Sequence, residues 1–310
     1  MTDPAISTRS LPASRPRVAR RTLATVRAFV LLTKPRVIEL LLVTTVPAMI
    51  LADRGFPSLG LVAAVLVGGA FAAGGANTVN CWIERDRDHL MRRTRDRPLP
   101  SGDVDPRAAL VFGLALEAVA FGLLWAAANL LAASLAVGAM LFYVFVYTIW
   151  LKPRTPQNIV IGGAAGAVPA LVGWAAVTGS LAAPAWVLFA IVFLWTPPHF
   201  WALAIRYHDD YSNAGFPMLP VVRGIAAATR QISVYAVVVV ASSFALPLVT
   251  AMSPIYPIAA ALMGAVFVFG AEQLRRDPTP ERAVRLFTFS NTYLAVLFSA
   301  VAIDTLVRAA

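Results

Sequence analysis

Charge is what this 310-residue chain has least of: Asp, Glu, Lys and Arg make up 14% of it, against 59% apolar residues. Mean hydropathy is +0.72, and apolar runs of roughly 20 residues recur along the chain. That excludes the two soluble domains that length alone would suggest and points to an integral membrane protein whose core is set by helix packing in lipid. Cysteine is nearly missing too. The single Cys81 leaves no disulfide to form within the chain, and it reads as a small packing residue rather than a nucleophile. An apolar signal core is lacking at the start. The first 26 or so residues are rich in Arg, Ser, Thr, Ala and Pro, with Asp3 the only acid, and read as a disordered basic tail. A mitochondrial transit peptide has a similar composition.

What is present is an ordered series of apolar spans. Hydropathy places nine, at 37–53, 59–82, 108–127, 130–150, 159–179, 184–205, 228–250, 254–273 and 285–307. The basic residues set their orientation, because 24 of the 26 fall on the N-terminal segment and the connections of one side, leaving Arg54 and Arg308 for the other. The N-terminus and the charged loops are therefore expected on the cytoplasmic face. The net charge of +10 reports this topology and a preference for anionic lipid or substrate; nucleic acid is not needed to explain it. The expected organisation is a tail over residues 1–33 followed by one all-α transmembrane domain over 34–310.

One stretch breaks the apolar pattern, Asn77 to Gly102 after the second span. Asn80, Glu84 and Asp88 recur at i, i+4 and i+8, so on a helix they project from one face in successive turns. Three oxygen ligands in a row suit a hard cation such as Mg²⁺. Arg92, Arg93, Arg95 and Arg97 follow, with guanidinium forks that match phosphate oxygens. Acids for metal beside bases for phosphate point to a metal-bridged diphosphate site.

Other polar groups collect on the same face. Lys152, Arg154 and Asn158 follow the fourth span, and Arg206, Tyr207, His208, Asp209 and Asp210 follow the sixth. These read equally as interfacial residues or as parts of the site. Lys34 and Arg36 flank a Pro that starts a helix comfortably, and they read as interfacial anchors. Glu39 is read as paired near the interface, with Arg36 a candidate partner, and Glu117 is expected to face the bundle interior. Pro197 and Pro198 interrupt the sixth span next to His199. The small residues of Ile161 to Pro169 read as a close helix contact, and Gly215 to Pro220 as a reentrant or capping loop.

The Asn80-x3-Glu84-x3-Asp88 motif, with a second acidic loop after the sixth span, resembles that of the UbiA-type intramembrane prenyltransferases. The resemblance implies a nine-helix bundle with a central cavity, a Mg²⁺ ion and a prenyl diphosphate. Lys34-Pro35-Arg36, Arg93-Thr-Arg95-x-Arg97-Pro-Leu, Thr155-Pro-x-Asn158, Thr196-Pro-Pro-His-Phe-Trp and Asp210-Tyr-x-x-Ala-Gly-x-Pro-Met-Leu-Pro are similar to the branch that farnesylates haem. The implied reaction joins the farnesyl group of farnesyl diphosphate to a haem b vinyl group, with water addition, giving haem O. The implied metal ligands and catalytic residues are Asn80, Glu84, Asp88 and Asp210, and the implied diphosphate donors are Arg93, Arg95, Arg97, Lys152, Arg154 and Arg206. His199, His208 and Tyr207 are the acceptor-side candidates.

Two departures stand out. Glu84 occupies a position where the family pattern has Asp, and Arg206-x3-Asp210 stands where it has a second pair of acids, so Arg206 would contact diphosphate in place of a further ion. The implied setting is a bacterial inner membrane, or alternatively a mitochondrial one, with a downstream haem-modifying enzyme or terminal oxidase assembly as a partner. Within the family the alternative acceptor is an aromatic acid or quinone precursor. Outside it, a transporter of anions would show an internal repeat, which the chain halves do not, and a haem-binding assembly factor would not need the metal and diphosphate cluster.

Overall fold

The computed structural model describes residues 17–310, except for the side chains of residues 17–22, 37 and 39–42. All regular structure among them is helical: α1 Arg17–Leu32, α2 Pro35–Asp53, α3 Leu59–Asp88, α4 Pro106–Ala127, α5 Leu130–Leu141, α6 Asn158–Thr178, α7 Ala183–Arg206, α8 His208–Asn213, α9 Leu219–Arg223, α10 Ile225–Ser243, α11 Leu246–Val249, α12 Ile255–Arg276 and α13 Pro280–Ala309. A π-helical stretch, Phe142–Leu151, continues α5. Polar side chains start several of these helices. Ser58, Asp105, Asn129 and Thr279 each accept a first-turn N–H of the helix they precede, satisfying donors that have no partner within the helix.

Eight helices among the described residues are long and apolar enough to cross a membrane, and the fold is all-α. The first of the nine expected spans falls on α2. Side chains at 37 and 39–42 lie outside the described residues, Glu39 among them, and the described apolar part, Val43–Asp53, is too short to count by itself. The disordered tail expected over 1–33 is corrected from Arg17 onward, where the chain is helical. Ala28 and Leu32 of α1 are buried with Cys81, Leu99, Val104 and Ala109, and Phe29 meets Phe112 edge-on at 5.0 Å, so apolar burial holds this helix to the bundle. Residues 1–16 of the expected tail lie outside the described residues.

The helices form two groups. α3, α4, α5 and α6 pack as neighbours, as do α7, α10, α12 and α13. α6 joins the groups through α7, and α2 lies against both α6 and α13. Lipid offers no hydrophobic drive for helix association, so the contacts depend on small residues that let backbones approach. The α3–α4 crossing shows this most clearly. A Cβ at Gly75 would lie 2.7 Å from the Gly113 carbonyl oxygen and 2.9 Å from Cγ of Glu117, which is buried as expected. Pro197 and Pro198 sit inside α7, which continues through them as one helix.

The close approach at Gly75 makes a prediction. Gly75→Ala must push α4 away, at a cost of about 1–3 kcal/mol, and should lower the thermal unfolding midpoint in detergent by several degrees. Gly122→Ala, where a Cβ meets nothing within 4 Å, should leave the midpoint unchanged or raise it slightly. Equal midpoints for the Gly75 variant and its parent would show that the helices do not depend on this contact.

Candidate active site

At about 1.5 Å per residue, the 30 residues of α3 span about 45 Å, more than the ~30 Å hydrocarbon layer. The last turns of α3 therefore reach one membrane face, and they carry Asn80, Glu84 and Asp88. All three are buried. Burial of such groups is costly unless each is paired, and each meets a cation or its equivalent from a different part of the chain. Lys34, in the turn between α1 and α2, donates from Nζ to Asn80 Oδ1 at 2.7 Å. Lys152, just past the π-helical stretch, donates to Glu84 Oε1. Arg97 donates from Nη1 to Asp88 Oδ2 at 2.9 Å.

Hydrogen bonding also fixes the Asn80 amide. Thr148 Oγ1 gives its proton to the Tyr143 carbonyl at 2.8 Å and accepts from Asn80 Nδ2 at 3.1 Å, so Asn80 Oδ1 faces Lys34. The π-helical geometry places Thr148 and Lys152 toward α3, and an extra residue per turn of this kind is frequent at functional sites. Tyr147 stacks on Tyr143 with ring centroids 5.4 Å apart. It fits because residue 162 is glycine: a Cβ there would lie 2.2 Å from Tyr147 Cδ2.

The loop after α3 folds over this ladder. Thr94 Oγ1 donates to the Asp88 carbonyl at 2.9 Å, and the Asp210 carboxylate accepts the backbone N–H groups of Arg92 at 3.4 Å and Arg93 at 3.3 Å. Arg93 lies over Tyr207 and Tyr211, with Cζ 5.1 and 5.9 Å from the ring centroids, and donates to Tyr211 Oη at 3.3 Å. Phe216 is buried beneath two cations, with Lys152 Nζ 4.6 Å and Arg87 Cζ 5.0 Å from its ring centroid. Burial is the largest influence on Lys152 and lowers its pKa, but the Glu84 carboxylate beside it, together with Tyr147 and Asp88, outweighs that and holds the ammonium above its ordinary value. At Lys34 burial prevails, and the pKa falls below the ordinary value.

The structure thus brings Asn80, Glu84, Asp88, Arg93, Arg97, Lys152 and Asp210 to one place. Other expected donors stand apart. Arg95 is exposed and 3.9 Å from Asp96, and Arg154 donates to the carbonyls of Ile149 and Trp150, closing the end of the π-helical stretch. Arg206 is exposed at the rim, its Cζ 5.8 Å from the Tyr207 ring centroid. His208 bonds Asp209 at 3.1 Å near the surface, whereas His199 lies within the bundle between Trp195 and Phe287. Lys34, Thr148, Tyr211 and Phe216 complete the site, although the sequence singled none of them out for it. Lysine immediately before a helix-starting proline was the signal for Lys34; an apolar run within a polar connection was the signal for Phe216.

Asp88 Oδ1 is buried without a hydrogen-bond partner, an acceptor-only oxygen fitted to a hard cation. Among the described residues no three or more His, Cys, Asp or Glu side chains converge on one point, so the available donor set is two carboxylates and an amide. Beside it, a cavity of about 170 Å³ opens between α2, α3, α5 and α6. Asn77 and Tyr143 are its polar residues near the ladder, and Ala72, Ala76, Ala136 and Val172 are among the small apolar side chains around it. The arrangement can hold a charged head at the ladder and an apolar tail in the cavity.

Comparisons with known proteins show the family and the fold. A protoheme IX farnesyltransferase of Salinispora tropica is 53% identical over 288 residues, which cover 92% of this chain and 90% of that protein. The solved structure of a digeranylgeranylglyceryl phosphate synthase superposes with a TM-score of 0.74 at 18% identity, covering 91% of this chain and 98% of the other. A UbiA homologue from Archaeoglobus fulgidus, solved with GPP and Mg²⁺ bound, gives a TM-score of 0.63 at 17% identity, with coverages of 89% and 99%. These two structures share the fold. The UbiA prenyltransferase family pattern matches residues 41–294, most of the chain including the whole ladder, and the chain belongs to that family.

Proposed function

We propose that this enzyme transfers the farnesyl group of farnesyl diphosphate to a vinyl group of haem b, with addition of water, giving haem O and diphosphate. The observation that carries the proposal is the buried ladder of Asn80, Glu84 and Asp88, each met by a cation, beside an apolar cavity. Identity of about half over nine-tenths of the chain to relatives named protoheme IX farnesyltransferase supports the choice of substrates. We place the ladder on the cytoplasmic side of a bacterial inner membrane, in keeping with the bias of basic residues.

Asn80, Glu84 and Asp88 would hold Mg²⁺, with Asp88 Oδ1 offering an unused oxygen. When bound, the ion neutralises charge that builds on the departing diphosphate. Lys34, Arg97 and Lys152 are already aimed at the ladder and can donate to the same oxygens. Asp210 acts through the backbone of Arg92 and Arg93, fixing the loop that carries Arg97. Arg93 adds a donor beside Tyr211, and Arg206 extends positive charge to the rim. The apolar residues around the cavity exclude water from the farnesyl chain, and the stacked faces of Tyr143 and Tyr147 suit an allylic cation. In the chemical step the carbon–oxygen bond of farnesyl diphosphate breaks with its electron pair leaving on oxygen. The vinyl π electrons form the new carbon–carbon bond, and water adds to the resulting haem-side cation with loss of a proton.

Purified protein incubated with farnesyl diphosphate, haem b and Mg²⁺ should yield a hydroxyethylfarnesyl haem by mass spectrometry. An adduct on 4-hydroxybenzoate with none on haem would replace the acceptor. Asp88→Ala should reduce turnover at least about 100-fold while the protein stays folded in detergent; near-normal turnover would remove Asp88 from metal binding. Lys34→Met should raise KM for farnesyl diphosphate about tenfold or more, the worth of one charged hydrogen bond, and leave KM for haem unchanged. Equal changes in both constants would mean that Lys34 supports the fold rather than the diphosphate.

A further inference from the structure

We propose that Nε2 of His199 is the axial ligand that holds the iron of the haem substrate. The inference rests on haem being the acceptor, and it adds the atom that binds it.

The hydrogen bonding described for His199 runs through one ring nitrogen, Nδ1. Ser290 Oγ has one proton, and it donates that proton to the Phe287 carbonyl at 2.7 Å. His199 Nδ1 is also 2.7 Å away; with the Ser290 proton on the carbonyl, Nδ1 carries the ring proton and donates to Ser290. In that tautomer Nε2 of the neutral ring keeps a free lone pair, since the side-chain hydrogen bond described for the ring uses Nδ1. The ring is also held against rotation. Trp195 stacks on one side at 4.2 Å and Phe287 on the other at 4.4 Å, while Trp195 Nε1 donates to the Ser290 carbonyl at 2.8 Å. A histidine whose second nitrogen donates to a fixed acceptor, with its orientation locked, is the usual arrangement at a metal ligand. A histidine that merely filled space in a bundle would need neither the lock nor a free nitrogen.

The direction of His199 suits the role. On α7, Thr196 lies against Gly163 of α6, where a Cβ would come within 3.0 Å, and Trp195 bonds to α13. At about 100° per residue, position 199 falls between those two directions. It therefore points to the seam between α6 and α13, where α2 packs. The depth also matches. His199 lies seven residues before the end of α7 and Asn80 eight residues before the end of α3, so each is about 10–12 Å from the end of its helix. Iron bound there would set the porphyrin in the layer that holds the diphosphate ladder. The other two histidines do not compete: His89 is exposed, and His208 is near the surface with Asp209.

The test uses the full chain in lipid nanodiscs titrated with haem b and followed by absorption and resonance Raman spectroscopy. The wild-type protein should show a histidine-ligated iron. His199→Ala should lose that signature, with at least tenfold weaker haem binding, and added imidazole should restore it. His199→Cys should convert the ferric spectrum to that of a thiolate ligand. Ser290→Ala should keep the ligand but lower the iron–histidine stretching frequency, which a residue that only packs would not do. Retained binding of farnesyl diphosphate by these variants would show that they are folded.

An unchanged iron spectrum in the Ala and Cys variants overturns the assignment, as does loss of the signature in His208→Ala instead. The two layers of the proposal separate. Transfer of farnesyl to haem by the wild type, with no dependence of the iron spectrum on residue 199, rejects the ligand and keeps the reaction. Ligation through His199 without any farnesyl transfer rejects the reaction and keeps the ligand. A wild type that binds no haem rejects both.

Discussion

The structure depends on the need to pair charge that is buried at the edge of a membrane. α3 carries an amide and two carboxylates on one face, and none of the three can stay buried unmatched. Their partners come from the α1–α2 turn, the loop after α3 and the end of the π-helical stretch, so the pairing draws three separate segments together. Local strain is accepted where it serves this end. Lys34 has φ 54°, a left-handed conformation that costs a non-glycine residue roughly 1–2 kcal/mol. It is held there by its own bond to Asn80 and by Asn77 Nδ2, which donates to the neighbouring Thr33 carbonyl at 3.0 Å.

Small side chains do the complementary work. Gly75 lets α4 reach α3, Gly162 makes room for the ring of Tyr147, and alanines on α3 and α5 leave the cavity beside the ladder. A polar ladder beside an apolar cavity therefore follows from two simple patterns on α3. Polar residues at 80, 84 and 88 meet cations, while Ala72, Ala73 and Ala76, nearer the membrane centre, withdraw from the space between helices.

Much of this was legible in the sequence because it is periodic. Apolar runs gave the spans to within a few residues, and the spacing of Asn80, Glu84 and Asp88 gave their common face. What the sequence could not rank was which cations would turn inward. Arg95 and Arg97 are two residues apart in one loop, yet only Arg97 reaches Asp88, because the turns after Met91 point neighbouring side chains in different directions. Lys152 and Arg154 divide in the same way, one toward Glu84 and the other onto the carbonyls that end the π-helical stretch. Lys34 was hidden by its resemblance to an ordinary interfacial lysine. The helix at Arg17–Leu32 was hidden by arginines that make its sequence look like a solvated tail, although Ala28, Phe29 and Leu32 supply an apolar face.

The two helix groups also divide the chemistry. The ladder of Asn80, Glu84 and Asp88 belongs to the α3–α6 group, whereas the His199–Ser290 pair lies between α7 and α13 of the other. With farnesyl diphosphate on the first and haem on the second, as proposed, the distance between reacting carbons would be set by how the groups meet. That meeting is made by α6 against α7, where Thr196 sits on Gly163, and by α2, which touches both sides. Thr196, which sits on Gly163, is one helical turn from His199, so a change in that contact would move the proposed acceptor relative to the donor without touching either site. With the substrates placed as proposed, the small residues of α6 would acquire a role beyond packing, fixing the register in which the two face each other.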